Sequence, residues 1–259
     1  MRSVIKIGTS SITYDNGKLN LKRIADLARV VSDLKNRGEE VIIVSSGAIG
    51  AGMGKLNIEK PTSISKKQAV AAIGQAHLIE MYQRSFSSYN THVAQVLLTK
   101  DVLEHPVKSR NAKATFTELL ALEVVPIVNE NDTVSTEEIV GEFFSDNDHL
   151  SSVVAGLVKA DRLIILSNID GLYRRVDGLI TNEVIKEVED ITDVFNNIEQ
   201  STSLLGTGGM KSKLEAIQST VQMGIDAFII NGNNPEYIYD LFDGINRGSF
   251  FKGVVKWIY

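Results

Sequence analysis

The stretch Val124-Val125-Pro126-Ile127-Val128-Asn129-Glu130-Asn131-Asp132 is followed, after residues 133–144, by Ser145-Asp146-Asn147-Asp148-His149-Leu150-Ser151. The β-branched run at its start reads as a buried strand, and that strand ends in carboxamides and carboxylates. The second cluster precedes residues 150–158, whose apolar positions have helical spacing, so Asn147 or Asp148 falls near a helix start. A strand end facing a helix start is where open α/β sheets bind ligands. Carboxamides there can donate and accept hydrogen bonds, and a carboxylate can hold an ammonium, a lysine or a metal. Asn and Asp also favour caps and turns, but two such clusters close together favour a ligand site. Residues 133–144, irregular and acidic, read as a flap between them.

The same alternation runs outward in both directions. Val4 to Ile7 is a strand that contains Lys6 and opens into Gly8-Thr9-Ser10-Ser11. Backbone N–H groups in such a loop can approach phosphate oxygens, and a lysine supplies charge. Asn20 is an N-cap for a helix carrying Leu21, Ile24, Leu27, Ala28, Val31 and Leu34, stopped by Gly38. Glu40 to Val44 is the next strand, so the order argues for a parallel βαβ unit. It runs into Ser45-Ser46-Gly47-Ala48-Ile49-Gly50-Ala51-Gly52, a second ligand loop or a tight turn into a helix. Residues 66–89 read as a helix, 92–98 as a strand and 109–123 as a helix with Ala114, Phe116, Leu119 and Leu120 as core.

Beyond residue 158 the pattern restarts. Arg162 to Leu166 is a strand ending in Ser167-Asn168-Ile169-Asp170-Gly171-Leu172-Tyr173. Residues 176–186 read as a hairpin, 210–223 as a helix, 226–230 as a strand and 254–258 as a last apolar strand. The glycine-rich loop Ser203-Leu204-Leu205-Gly206-Thr207-Gly208-Gly209 enters the helix at Met210-Lys211-Ser212-Lys213. The helix dipole disfavours lysines at that end; a bound anion would remove the conflict, so a phosphate site is expected there. A boundary at Ala160-Asp161 divides the chain into two parts with no linker composition between them, compatible with one continuous sheet.

Composition narrows the classes. The 259 residues can form one large domain or two lobes, and 43% hydrophobic with 23% charged residues is ordinary for a globular protein. A net charge of −5 disfavours a broad nucleic-acid or membrane surface. There is no cysteine, hence neither a disulfide nor a thiolate metal site. The N-terminus shows no leader pattern, no stretch is apolar enough to span a membrane, and a cytoplasmic location is expected. Histidines 77, 92, 105 and 149 lack paired ligand spacing, and no Walker A, dinucleotide or nucleophile-elbow motif is present.

Together, Lys6-Ile7-Gly8-Thr9-Ser10, Ser45-Ser46-Gly47-Ala48-Ile49, Val128 to Asp132, Asp146 to Ser151, Gly171-Leu172-Tyr173 and Gly206-Thr207-Gly208-Gly209-Met210 resemble the amino acid kinase family over essentially the whole chain. The resemblance implies a three-layer α/β/α sandwich around a mostly parallel sheet, in one domain over residues 1–259. Residues 1–160 would hold an acid substrate and 161–259 a nucleotide. It implies ATP, with Mg²⁺, phosphorylating the γ-carboxylate of L-glutamate, the first step of proline biosynthesis, in a homo-oligomer (dimer or tetramer) inhibited by proline. By position, Ser46, Asp132 and Asn147 would bind glutamate. Lys6, Gly8, Ser167, Asn168, Thr207, Gly208, Gly209, Met210, Lys211, Ser212 and Lys213 would bind the nucleotide. Lys6 and Lys213 would flank the phosphoryl group in flight, and Asp148 would orient them; no residue is assigned to a metal. Other substrates of the fold remain open: acetylglutamate, aspartate, carbamate or UMP. So does a silent sensor, although both lysines and Asp148 are present.

The chain departs from the family pattern in two places. Asn168 stands where Asp is usual, so either Asp170 supplies the charge or Asn168 hydrogen-bonds in its place. Many members also carry a C-terminal PUA domain, and with the chain ending at Tyr259 none is expected here.

Overall fold

In the computed structural model, residues 1–14, 16–99, 102, 105–134, 147–176, 179–192, 194 and 209–254 are described. Ten strands are formed among them: β1 (Arg2–Ile7), β2 (Glu40–Ser45), β3 (Val93–Leu98), β4 (Val125–Glu130), β5 (Arg162–Ser167), β6 (Tyr173–Val176), β7 (Leu179–Val184), β8 (Glu187–Val188), β9 (Asp226–Asn231) and β10 (Ser249–Phe251). Eight of them form one sheet in the order β3-β4-β2-β1-β5-β9-β10-β8. Every neighbouring pair is parallel except β9 with β10. β6 and β7 pair antiparallel as a separate hairpin, which starts at Tyr173, three residues before the expected span of 176–186.

The helices are α1 (Thr9–Ile12), α2 (Leu21–Asn36), α3 (Ala48–Leu56), α4 (Ile64–Ser87), α5 (Pro106–Ala121), α6 (Asn147–Val158), α7 (Gly209–Gln222) and α8 (Tyr237–Phe242). α2 begins where its cap predicts, with the Asn20 side chain accepting from the Arg23 amide. The period-2 alternation of the central strands divides the core into two layers. Ile5, Ile7, Ile43 and Ile127 pack with Ile24 and Leu27 of α2 and with Leu78 and Phe86 of α4. Val4, Val44, Val128 and Ile165 pack with Phe116 of α5, Val154 of α6 and Leu214 of α7.

β1 lies at the centre, paired with β2 on one side and β5 on the other. The proposed boundary at residue 160 therefore falls between strands of one continuous sheet. The chain winds outward from β1 in both directions, so the crevice beyond the carboxyl ends of β1 and β5 is a topological switch point.

One expectation fails and another lies largely outside the described residues. Val254 is not in a strand and its amide donates to the Val221 carbonyl at 2.8 Å, at the end of α7; the rest of the expected strand, residues 255–258, lies outside those described. The last described strand is β10, too short to show a periodic pattern. Ala114 is exposed rather than core, because α5 buries Phe116 towards the sheet and turns Ala114 to solvent.

Candidate active site

Alternation along β1 places Lys6 on the same face as Val4, where an apolar residue would otherwise pack beneath α6 and α7. Lys6 is 1% exposed. Its ammonium lies 2.7 Å from Asp148 Oδ1, and the carboxylate is fully buried. Asp148 stands in the first turn of α6, where the helix dipole favours a carboxylate. Lys213 Nζ approaches the other oxygen, Asp148 Oδ2, at 3.2 Å, and Ser212 Oγ donates to that oxygen at 3.0 Å. The Gly209 carbonyl accepts from Lys213 Nζ at 2.9 Å, and Ser212 Oγ lies 3.3 Å from it as the alternative acceptor for its single proton. Asp148 therefore supplies a negative charge beside Lys213 from within the protein. Two ammonium groups against one carboxylate leave this trio one positive charge in excess, directed at the carboxyl ends of the strands.

Asn147, one residue before Asp148, ties three elements together. Its Nδ2 donates to the Ser45 carbonyl at 3.1 Å, to Ser46 Oγ at 2.9 Å and to Asn129 Oδ1 at 2.9 Å. Asn129 Oδ1 also accepts from the Glu130 amide at 2.9 Å. Among the described residues, Asn147 Oδ1 and Asn129 Nδ2 are buried without a hydrogen-bond partner. An unpaired buried acceptor or donor costs about 1–3 kcal/mol, and a native fold keeps one where a ligand or water completes it. The acceptor suits an ammonium and the donor a carboxylate. Asp132 is also buried, at 3% exposure. Gly47 follows Ser46 with φ +98°, a left-handed conformation that turns the chain sharply into α3.

The nucleotide-side residues are more scattered. Ser167 is buried at the end of β5, and Asn168 beside it is exposed, its Oδ1 3.5 Å from Ser167 Oγ. Asp170 is engaged elsewhere: its Oδ1 accepts from Asn231 Nδ2 at 2.7 Å and its Oδ2 from the Tyr173 hydroxyl at 3.2 Å. A Cβ on Gly8 would lie 3.6 Å from Lys6 Nζ, an ordinary contact, so the Gly8 backbone passes close to that buried ammonium. Met210 packs against the core beneath α7, whereas Lys211 lies 3.8 Å from Glu215 and away from Asp148. Thr207, Gly208, Asp146 and most of the flap, residues 135–146, lie outside the described residues.

The structure therefore brings Lys6, Asp148, Ser212 and Lys213 into one cluster and Ser46 and Asn147 into an adjoining one. It adds Asn129, which the motif reading passes over although the residue stands in the stretch that decides the fold. The signal for it is an amide at the end of a run of buried β-branched residues.

A parallel α/β/α sandwich of this kind is shared with small-molecule kinases of known structure. Carbamate kinase from Giardia lamblia bound to AMP-PNP matches it with a TM-score of 0.67 at 12% identity, covering 97% of this chain and 98% of that one. Residues 1–231 match the amino acid kinase family, and the chain belongs to that family. Among its relatives, a glutamate 5-kinase of Clostridium perfringens is 48% identical over 256 residues, which is 96% of this chain and 94% of the relative. A glutamate 5-kinase of Enterococcus faecalis is 45% identical over 256 residues, with the same shares covered.

Proposed function

We propose that the chain transfers the γ-phosphoryl group of ATP to the γ-carboxylate of L-glutamate, giving ADP and γ-glutamyl phosphate, and so opens the route to proline. The observation that carries this reading is the adjacency of the lysine–aspartate–lysine cluster to the buried Asn129 and Asn147, whose open donor and acceptor match the two charged groups of an α-amino acid. Identity of 48% and 45% to two glutamate 5-kinases supports it. In this assignment residues 1–160 hold the acid through Ser46, Asp132 and Asn147, joined by Asn129. Residues 161–259, with Gly8, hold the nucleotide through Ser167, Asn168 and residues 207–213.

The protein does little covalent chemistry in such a reaction; it positions and supplies positive charge. The nucleophile is already an ionised carboxylate, so no general base is needed. Lys6 and Lys213 neutralise charge that accumulates as carboxylate and triphosphate meet, and Asp148 holds both ammonium groups against their mutual repulsion. Mg²⁺ bound with the nucleotide would shield phosphate charge there. No described helix is long and apolar enough to cross a membrane; a cytoplasmic homo-oligomer is the setting we assign.

An ADP-release assay with a panel of acids tests the assignment. Glutamate is expected to give the highest kcat/KM. N-acetylglutamate lacks the α-ammonium that the buried Asp132 is assigned to meet, adds bulk at the same point and should be a poor substrate. Aspartate, one methylene shorter, should lose mainly kcat through misplacement. Preference for acetylglutamate, aspartate, carbamate or UMP would overturn the substrate while keeping the kinase, and no turnover with any acid would favour a sensor.

Proline carries the same amine and α-carboxylate, so it should occupy the Ser46–Asp132–Asn147 end and inhibit in a manner that added glutamate relieves. Inhibition insensitive to glutamate concentration would contradict shared occupancy.

A further inference from the structure

We propose that helix α4 braces the acid-binding end of the site through two buried polar side chains, Tyr82 and Gln75, which act as positioning residues for the acid substrate. α4 buries one face, formed by Val70, Ala71, Gly74, Gln75, Leu78, Tyr82 and Phe86. On that face only Gln75 and Tyr82 carry polar groups, and each reaches the last residue of a different strand.

The Tyr82 hydroxyl lies 3.0 Å from Ser45 Oγ, at the end of β2. Either hydroxyl can be the donor, and Ser45 Oγ also lies 3.1 Å from the Ser46 carbonyl. Gln75 Nε2 donates to the Glu130 carbonyl at 3.1 Å, at the end of β4. β2 and β4 are neighbours in the sheet. The chain leaving β2 supplies Ser46, and the chain leaving β4 supplies Asp132, two residues past Glu130. α4 therefore fixes the roots of both acid-holding loops. It also meets α3 at backbone distance: a Cβ on Gly74 would lie 1.7 Å from the Ala48 carbonyl oxygen.

Removing either group takes a hydrogen-bond partner from Ser45 Oγ or the Glu130 carbonyl, so each contributes to stability as well. Burial pushes the Tyr82 phenol up to about 12, with the bond to Ser45 opposing in part, so it stays neutral at neutral pH. What Tyr82 and Gln75 add is a fixed spacing between the Ser46 and Asp132 loops.

The inference rests on the glutamate reading only for the choice of acid. The test is steady-state kinetics and melting temperature for Tyr82→Phe, Gln75→Leu and Ser45→Ala, with Phe86→Leu as a packing control on the same face. Tyr82→Phe and Gln75→Leu should each raise KM for glutamate roughly three- to tenfold, the worth of one hydrogen bond. Their kcat and KM for MgATP should stay within about twofold, because the lysine cluster is untouched. Ser45→Ala should repeat the Tyr82→Phe effect, which protects the result if one variant folds poorly. Phe86→Leu should lower the melting temperature without moving KM for glutamate. If the wild type prefers another acid, the glutamate reading fails and the same comparison is made on that acid's KM. Folded Tyr82→Phe and Gln75→Leu proteins with unchanged KM for the preferred acid would overturn the brace.

Discussion

Lys6→Ala should lower kcat on the order of a hundred- to a thousandfold while leaving the KM values for glutamate and ATP within a small factor. An ammonium whose attraction grows as charge builds on the transferring phosphoryl group contributes to kcat rather than to ground-state affinity. Lys6 is preorganised for this role rather than recruited to it, because its side chain is buried and its ammonium sits 2.7 Å from Asp148 Oδ1. Lys213→Ala should behave likewise, because its ammonium approaches the opposite oxygen of the same carboxylate at 3.2 Å. Removing either lysine leaves Asp148 paired with the other, so the fold should tolerate the change. Lys6→Met, which fills the space without charge, separates the two effects: its melting temperature should stay near wild type while its kcat falls as far as that of Lys6→Ala. Either lysine variant retaining near-normal kcat would remove that lysine from the chemistry.

Asp148→Asn should lose most turnover and, unlike Lys6→Met, a substantial part of the stability as well. The carboxylate is fully buried between two ammonium groups, and Lys6 itself is almost inaccessible to water. Breaking a buried ion pair from one side costs about 3–5 kcal/mol, because an uncompensated charge stays behind. Here two cations stay behind, and an amide can offer its single oxygen to only one of them. The helix dipole adds in the same direction, since a first-turn carboxylate is exchanged for a neutral group. KM for glutamate should change little, because Asn147, Ser46 and Asn129 are joined to one another without Asp148. Kinetics alongside thermal unfolding checks this: a fallen melting temperature with kcat preserved would make Asp148 a structural cap and nothing more.

Much of this arrangement is legible in the sequence, for reasons that can be traced residue by residue. β1, β2, β4, β5 and β9 are buried on both faces and so appear as β-branched runs bounded by Gly, Ser or Asn. Lys6 stands out because it interrupts such a run, and the start of α6 at Asn147 follows from the spacing after it. Lysines at the unfavourable end of α7 signal a phosphate, and a pattern of local spacings cannot show that Lys213 also meets Asp148, 65 residues earlier in the chain. Tyr82 is similarly hidden: in an apolar helical stripe it looks like any core aromatic, and its partner Ser45 lies 37 residues away. β8 and β10 have two and three residues, too few to display a period. Asn168 shows the same limit from the other side. Asn168 and Asp170 are both exposed at that corner, and Asp170 is held by Asn231 and Tyr173, partners that local spacing does not reveal.

In the proposed reaction a carboxylate, placed between Lys6 and Lys213, is the group that becomes phosphorylated. Its product is an acyl phosphate, which hydroxylamine intercepts as a hydroxamate. Supplying the protein with MgATP, hydroxylamine and L-glutamate should yield γ-glutamyl hydroxamate in step with ADP, faster than any hydroxamate formed from N-acetylglutamate or aspartate, and the Lys6→Ala protein should form almost none. ADP release without hydroxamate, or hydroxamate formed fastest from one of the other two acids, would contradict it.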